Sequence, residues 1–201
     1  MRELTLAMSM SLDGFISGPK GEIDWVFSGD QVAIASKIEK LWDAGLHIMG
    51  SGAFGMATFW PTASTPFAPP MNQIPKTVFS KQGPAVLQAA AEALEKARQA
   101  GPLQPGAESW AQATVAGGDL ADEIARLKAV DGKRIIAHGG ARFARSLIAA
   151  NLVDEYAVMI YPIILGKGVS IFSELPAPRP LKLVSSQAFP LGGVAQTYRP
   201  A

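Results

Sequence analysis

Between residues 3 and 10 the chain reads ELTLAMSM, an alternation of apolar and polar positions that predicts a strand with one face buried. Residues 11–21 carry Gly14, Gly18, Pro19 and Gly21 and read as a loop, which Asp24 and Trp25 close. From 30 to 43, Val32, Ile34, Ala35, Ile38, Leu41 and Trp42 fall at helical spacing. Gly45 reads as the end of that helix, and residues 46–49 as a short buried strand. Residues 50–59 read as a loop with a short helix. The proline-rich 61–75 reads as a surface loop, too short to link two domains that each need a core. A strand over 76–81, an alanine-rich helix over 85–100, a loop over 101–106 and a strand over 110–116 follow. Gly117-Gly118-Asp119 then opens a helix, with Asp119 as its N-cap and Leu120, Ile124 and Leu127 on one face.

The stretch 133–172 is the most informative. An apolar run over 134–137 stops at Gly139-Gly140. Phe143, Leu147, Ile148 and Leu152 mark a helix, and a second apolar run over 156–165 ends at Gly166 and Gly168. That order is a βαβ unit. Asp154-Glu155, before the second strand, reads as a solvated turn. The end differs: 180–188 and 193–198 read as two strands joined by PLGG, a C-terminal hairpin. The pattern predicts an α/β fold of one domain over 1–201, with a mostly parallel mixed sheet, an antiparallel edge and helices on both faces. Ligands of such sheets sit at the carboxyl ends of the strands. Three glycine bends fall there: Gly50-Ser51-Gly52, Gly117-Gly118 and Gly139-Gly140.

Composition narrows the chemistry. Apolar residues make up 48% and charged residues 17%, so a chain of 201 residues can fill a core. A net charge of +1 with no basic run gives no pull toward nucleic acid. Without cysteine there is no disulfide, zinc thiolate or thiol nucleophile. No stretch has the roughly 18 apolar residues of a membrane span, and no signal core opens the chain, so a cytoplasmic protein is expected. The two histidines, His47 and His138, lie apart with no ligand spacing, and no metal site is expected. No nucleophile elbow or P-loop is present.

Residues 50–55 spell GSGAFG, a literal G-x-G-x-x-G after a strand. Yet no acid occurs between Asp43 and Glu92 to hold ribose hydroxyls, which argues against an ordinary NAD-type site. An acid-free wall near Ser80-Lys81 suits an anion better; Lys76 reads as an ordinary strand residue. Arg142 and Arg145 stand in the first turns of the helix after Gly139-Gly140, where one can meet a phosphate or both can be solvated. Of the leading acids, Asp13-Gly14 reads as a turn. Asp30 reads first as a helix N-cap, although a carboxylate there can also hold a heterocycle through two N–H bonds.

MSLDGFISGPKGEIDW, LHIMGSGAF, TVFSK and above all IIAHGGARFARSLIAANLVDEYAVMIYPIILGKGVSIF resemble the dihydrofolate reductase-like superfamily. The closer likeness is to the C-terminal reductase domain of the bifunctional riboflavin-biosynthesis deaminase/reductase and its stand-alone relatives. It covers nearly the whole chain; the helix over 85–100 and its following loop are longer than the pattern. The resemblance implies a three-layer αβα domain that binds NADPH. On matching positions, Gly50, Ser51, Gly52 and Ala53 would lie under the cofactor phosphates. Ser80 and Lys81 would flank the adenosine 2′-phosphate, with Gly118 on the neighbouring bend. Gly139, Gly140, Ala141 and Arg142 would cradle the pyrophosphate, and Ala7 would face the nicotinamide carboxamide through its backbone. Asp30 and Asp13 are the candidate catalytic acids, Asp30 falling where dihydrofolate reductases place their pterin-binding acid. The family's G-R-x-T is here Gly50-Ser51-Gly52-Ala53, so the Arg and Thr that would grip a 2′-phosphate are missing and NADH is not excluded.

The expectation is therefore an NADPH-dependent oxidoreductase of a small heterocycle, resembling 5-amino-6-(5-phosphoribosylamino)uracil reductase of riboflavin biosynthesis. A cofactor-binding protein without turnover and a dihydrofolate or pteridine reductase are the alternatives. The resemblance also implies a homodimer; the apolar segment 156–172 and the hairpin suit its interface, and core packing explains the same residues. Charge and hydropathy give no nucleic-acid or membrane partner.

Overall fold

The computed structural model describes every residue except 28, 174 and 176. In chain order the elements are β1 (Leu4–Ser11), β2 (Phe15–Ser17), α1 (Gln31–Trp42), β3 (Ala44–Gly50), α2 (Ser51–Phe54), α3 (Ala68–Gln73), β4 (Lys76–Phe79), α4 (Gln88–Ala100), β5 (Thr114–Ala116), α5 (Leu120–Ala129), β6 (Arg134–His138), α6 (Ala141–Ala149), β7 (Glu155–Tyr161), β8 (Val169–Ser170), β9 (Leu181–Ala188) and β10 (Val194–Pro200). Turns of 3-10 helix lie at Asp24–Val26, Gly55–Thr58, Gly83–Leu87 and Ala107–Trp110. One sheet has the strand order β5-β4-β3-β6-β1-β7-β10-β9, and β2 pairs with β8 in a second. The expected α/β class, mostly parallel with an antiparallel hairpin at one edge, is the one observed. The chain divides into two compact units, one of residues 1–2 and 38–136, the other of 3–37 and 137–201.

In the first unit β3, β4 and β5 run parallel, and their carboxyl ends fall on one row: Gly50 pairs with Phe79, and Phe79 with Ala116. Met49, Phe54, Met71, Val78, Leu94 and Trp110 form its core. Four sequence readings are corrected here. Gly45 lies inside β3, not at a helix end; a Cβ there would come 3.2 Å from the Lys133 backbone. The proline-rich segment is no surface loop. It contains α3, which takes Pro69 and Pro70 in its first turn, where a missing N–H costs nothing, and buries Ala68, Pro70, Met71 and Asn72. The expected helix over 85–100 begins as a 3-10 turn and becomes α4 only at Gln88. Trp110 is not in a strand. It ends a 3-10 turn, fully buried, with its indole N–H donated to Asn72 Oδ1 at 2.8 Å. Lys76 is buried as well. Its Nζ donates to Ile74 O (2.8 Å), Ser109 Oγ (2.6 Å) and Asn72 O (3.3 Å), and sits 4.7 Å from the Trp110 ring centroid. Burial lowers this amine from 10.5 to about 7.

In the second unit β1 and β7 are parallel, and β10 returns antiparallel between β7 and β9. Ala33 of α1 packs with Met159, Tyr161 and Phe189. β7 ends at Tyr161 rather than running to 165, because Pro162 cannot donate to a ladder. Asp154-Glu155 is not a solvated turn. Asp154 Oδ2 accepts the Leu4 amide at 2.7 Å, and the buried Glu155 accepts from Thr5 Oγ1 and from Arg199. The loop over 11–21 holds the short strand β2.

Candidate functional site

The edge formed by β3, β4 and β5 brings three of the expected groups together within the first unit. Gly50 closes β3 in an extended conformation, and Ser51, Gly52 and Ala53 make the single turn α2. Ser80 and Lys81 follow β4, and the Ser80 amide donates to Ala116 O at 3.0 Å. Gly117 and Gly118 follow β5. A Cβ on Gly117 would come 3.3 Å from Ser80 O, so two adjoining bends approach at backbone distance because that residue has no side chain. Around Gly52 and Gly55 a Cβ would meet nothing within 4 Å, so this bend is open. Lys81 Nζ donates to Gly117 O (3.2 Å) and Gly118 O (3.1 Å). An open glycine bend and a short turn of helix at a strand's carboxyl end suit a phosphorylated nucleotide.

One residue of this edge was missed by the sequence reading. Glu123, in the first turns of α5, reaches back so that Oε1 accepts the Gly118 amide at 3.3 Å, and Oε2 pairs with Arg126. Along the chain, the GSGAFG bend has no acid between Asp43 and Glu92. The acid enters from the next strand-and-helix pair, where its signal was its place five residues after the glycine pair.

The second unit holds the remaining residues. Ala7 lies in β1 opposite Ala157 of β7. Gly139 precedes Gly140, whose φ of 76° and place as N-cap of α6 require glycine. Ala141 and Arg142 open α6. Arg145 does not reach outward: its Nε donates to Ser170 O at 2.9 Å. A cavity of about 150 Å³ is lined by Trp25, Asp30, Ala33, Met159, Tyr161 and Leu191, among others. Trp25 and Tyr161 meet edge to face at 5.5 Å, and Lys37 Nζ donates to the Tyr161 hydroxyl at 3.1 Å. The sequence reading also missed Tyr161, for which the one signal was an aromatic at a strand's end.

Both candidate acids are occupied as acceptors. Asp30 Oδ1 takes the amides of Val32 and Ala33 (3.1 Å each), the N-cap expected for it. Its Oδ2 takes Leu191 N at 2.8 Å, from the hairpin turn. The Leu191 amide first, then those of Ala33 and Val32, hold this carboxyl below the ordinary range. Asp13 accepts Ser11 Oγ (2.6 Å), Leu165 N (3.1 Å) and Gly166 N (2.7 Å), and the Ser11 hydroxyl is the largest cause of its lowered pKa. Both are therefore ionised at neutral pH. Among the described residues no group of three or more His, Asp or Glu side chains is arranged to hold a metal, and no helix is long and apolar enough to cross a membrane.

Comparison with known proteins agrees with this architecture. Residues 2–194 match the family model of the RibD C-terminal domain, and the chain belongs to that family. It is 26% identical to the uncharacterized protein YyaP of Bacillus subtilis over 198 residues, 98% of this chain and 94% of that one. Its fold is similar to that of a putative riboflavin biosynthesis protein from Shewanella sp. PV-4, with a TM-score of 0.69 and 20% identity over 99% of both chains. The deaminase/5-amino-6-(5-phosphoribosylamino)uracil reductase of Thermotoga maritima gives 0.66 and 17%, over 100% of this chain and 57% of that one. Dihydrofolate reductase from Enterococcus faecalis, complexed with NADP(H), gives 0.56 and 13%, over 98% and 96%. The fold is thus the three-layer dihydrofolate reductase-like one that the sequence motifs resemble.

Proposed function

We propose that this chain is a nicotinamide-dependent reductase of a small heterocycle, of the kind that reduces 5-amino-6-(5-phosphoribosylamino)uracil, with NADPH or NADH as the hydride donor. The row Gly50–Phe79–Ala116, which sets three bends side by side, carries the reading. In this reading Gly50, Ser51, Gly52 and Ala53, with Ser80, Lys81 and Gly118, take the adenosine end of the cofactor. Within the second unit by itself, the family resemblance assigns a pyrophosphate to Gly139, Gly140, Ala141 and Arg142 and a carboxamide to Ala7. The bound cofactor supplies the hydride. The cavity beside Trp25 and Tyr161 takes the flat acceptor, whose ring faces aromatic walls. Asp30 acts as a fixed acceptor in the cavity wall, Asp13 as one that ties Leu165 and Gly166 to its own loop, and water supplies the proton, since neither carboxylate carries one. The chain works as a homodimer in the cytoplasm in this reading. The exposed Leu181 and Leu183 of the hairpin support an interface there.

The test is titration with NADPH and NADH, followed by oxidation assays with aminopyrimidines, pterins and quinones. Gly52→Asp is the matching variant, because it adds a carboxylate where a side chain meets no atom and so spares the fold. Binding should weaken at least about tenfold with an unchanged melting temperature. Failure of the native chain to bind either nucleotide refutes the reading. Binding without oxidation of any acceptor selects the protein without turnover.

A further inference from the structure

We infer that Glu123 selects a dinucleotide with free ribose hydroxyls, NADH, over one with a 2′-phosphate. This rests on the reading that the edge of β3, β4 and β5 takes the adenosine end. The Glu123 side chain is only 13% exposed, although it lies in an exposed first turn of its helix. It is folded onto the bend: the Gly118 amide donates to Oε1 at 3.3 Å, and a Cβ on Gly118 would lie 2.8 Å from that oxygen. The carboxylate therefore fills the position an incoming phosphate would need at this amide.

Nothing on the same bends offsets its charge toward a ligand. The residues 50–53, 80–82 and 117–119 include one basic side chain, Lys81, and its Nζ is turned to the carbonyls of Gly117 and Gly118. Arg126 is held by the second oxygen of Glu123. A carboxylate only accepts hydrogen bonds, and its two oxygens offer about four lone-pair sites. Gly118 and Arg126 use two of them, which leaves acceptors for the two hydroxyls of a ribose. A 2′-phosphate brings negative charge and no donor, so it is repelled. The acid that the GSGAFG bend lacks along its own strand is supplied across the sheet edge, in the role that an acid has at other dinucleotide sites.

The test measures dissociation constants for NADH and NADPH by fluorescence titration or calorimetry, with no acceptor present. The native chain should bind NADH at least about tenfold more tightly than NADPH. Glu123→Gln keeps an acceptor for Gly118, removes the charge and releases Arg126, and should move the ratio toward NADPH by about tenfold or more. A purely structural role would weaken both nucleotides alike and leave the ratio fixed. NADPH bound as tightly as NADH by the native chain, or an unchanged ratio in Glu123→Gln, overturns the inference and leaves the reductase reading standing. If the variant does not fold, the native ratio decides alone. Failure to bind either nucleotide refutes the reductase reading itself.

Discussion

Lys76 offers a quantitative check on the first unit. Lys76 is 3% exposed, and among the described residues no carboxylate pairs with its ammonium; its hydrogen-bond acceptors are two carbonyls and a hydroxyl. Burial lowers its pKa from 10.5 to about 7. The unfolded chain therefore binds more protons than the folded one between about pH 7 and 10.5, and stability rises with pH through that window. Each unit is worth about 1.4 kcal/mol, so between about pH 7 and pH 9 the gain is roughly 2.3 kcal/mol. Other groups titrate too, and Lys76→Met serves as the reference that removes them. The assay is urea denaturation of both chains across this range, with the difference in stability plotted against pH. The native chain should gain roughly 2.3 kcal/mol on the variant, or about 5–9 °C in melting temperature for a chain of this size. A flat difference would refute the reasoning. It would mean that the three acceptors and the Trp110 face keep the ammonium charged throughout, and that burial costs this site nothing.

Two other changes test the frame around the candidate site. Asn72→Ala removes the partners of both the Trp110 indole and the Trp60 carbonyl, and should cost roughly 2–4 kcal/mol in chemical denaturation, because two polar groups lose their bonds in the interior. Asp13→Ala should speed amide hydrogen exchange at Leu165 and Gly166, which lose their acceptor. Because the folded pKa of Asp13 is depressed, its contribution in the native chain is present above the ordinary carboxylate range and is lost as pH falls below it; the variant should lack that acid-side loss.

Residue order alone was enough wherever local patterns decide structure. Asp119 caps α5 as its spacing predicts, accepting Ala121 N (2.8 Å) and Asp122 N (3.2 Å). The run 134–137, the glycine pair and the apolar stripe of Phe143, Leu147 and Ile148 predict β6 and α6, and the alternation at the end predicts the hairpin. In each, the information lies within one or two turns of chain, so periodicity and capping suffice. Tertiary structure decided the rest. Prolines that suggested a surface loop start a buried helix, since Asn72 finds Trp60 and Trp110 as partners at sequence separations of 12 and 38. Asp30 looks the same in sequence whether it caps a helix or also ties down Leu191, 161 residues away. The place of Glu123 at this sheet edge comes only from the parallel pairing of β4 with β5, which brings Gly117 and Gly118 beside Ser80 and Lys81. The ionisation and reach of a polar side chain depend on which donors and low-dielectric walls surround it, and those come from segments that only folding brings near.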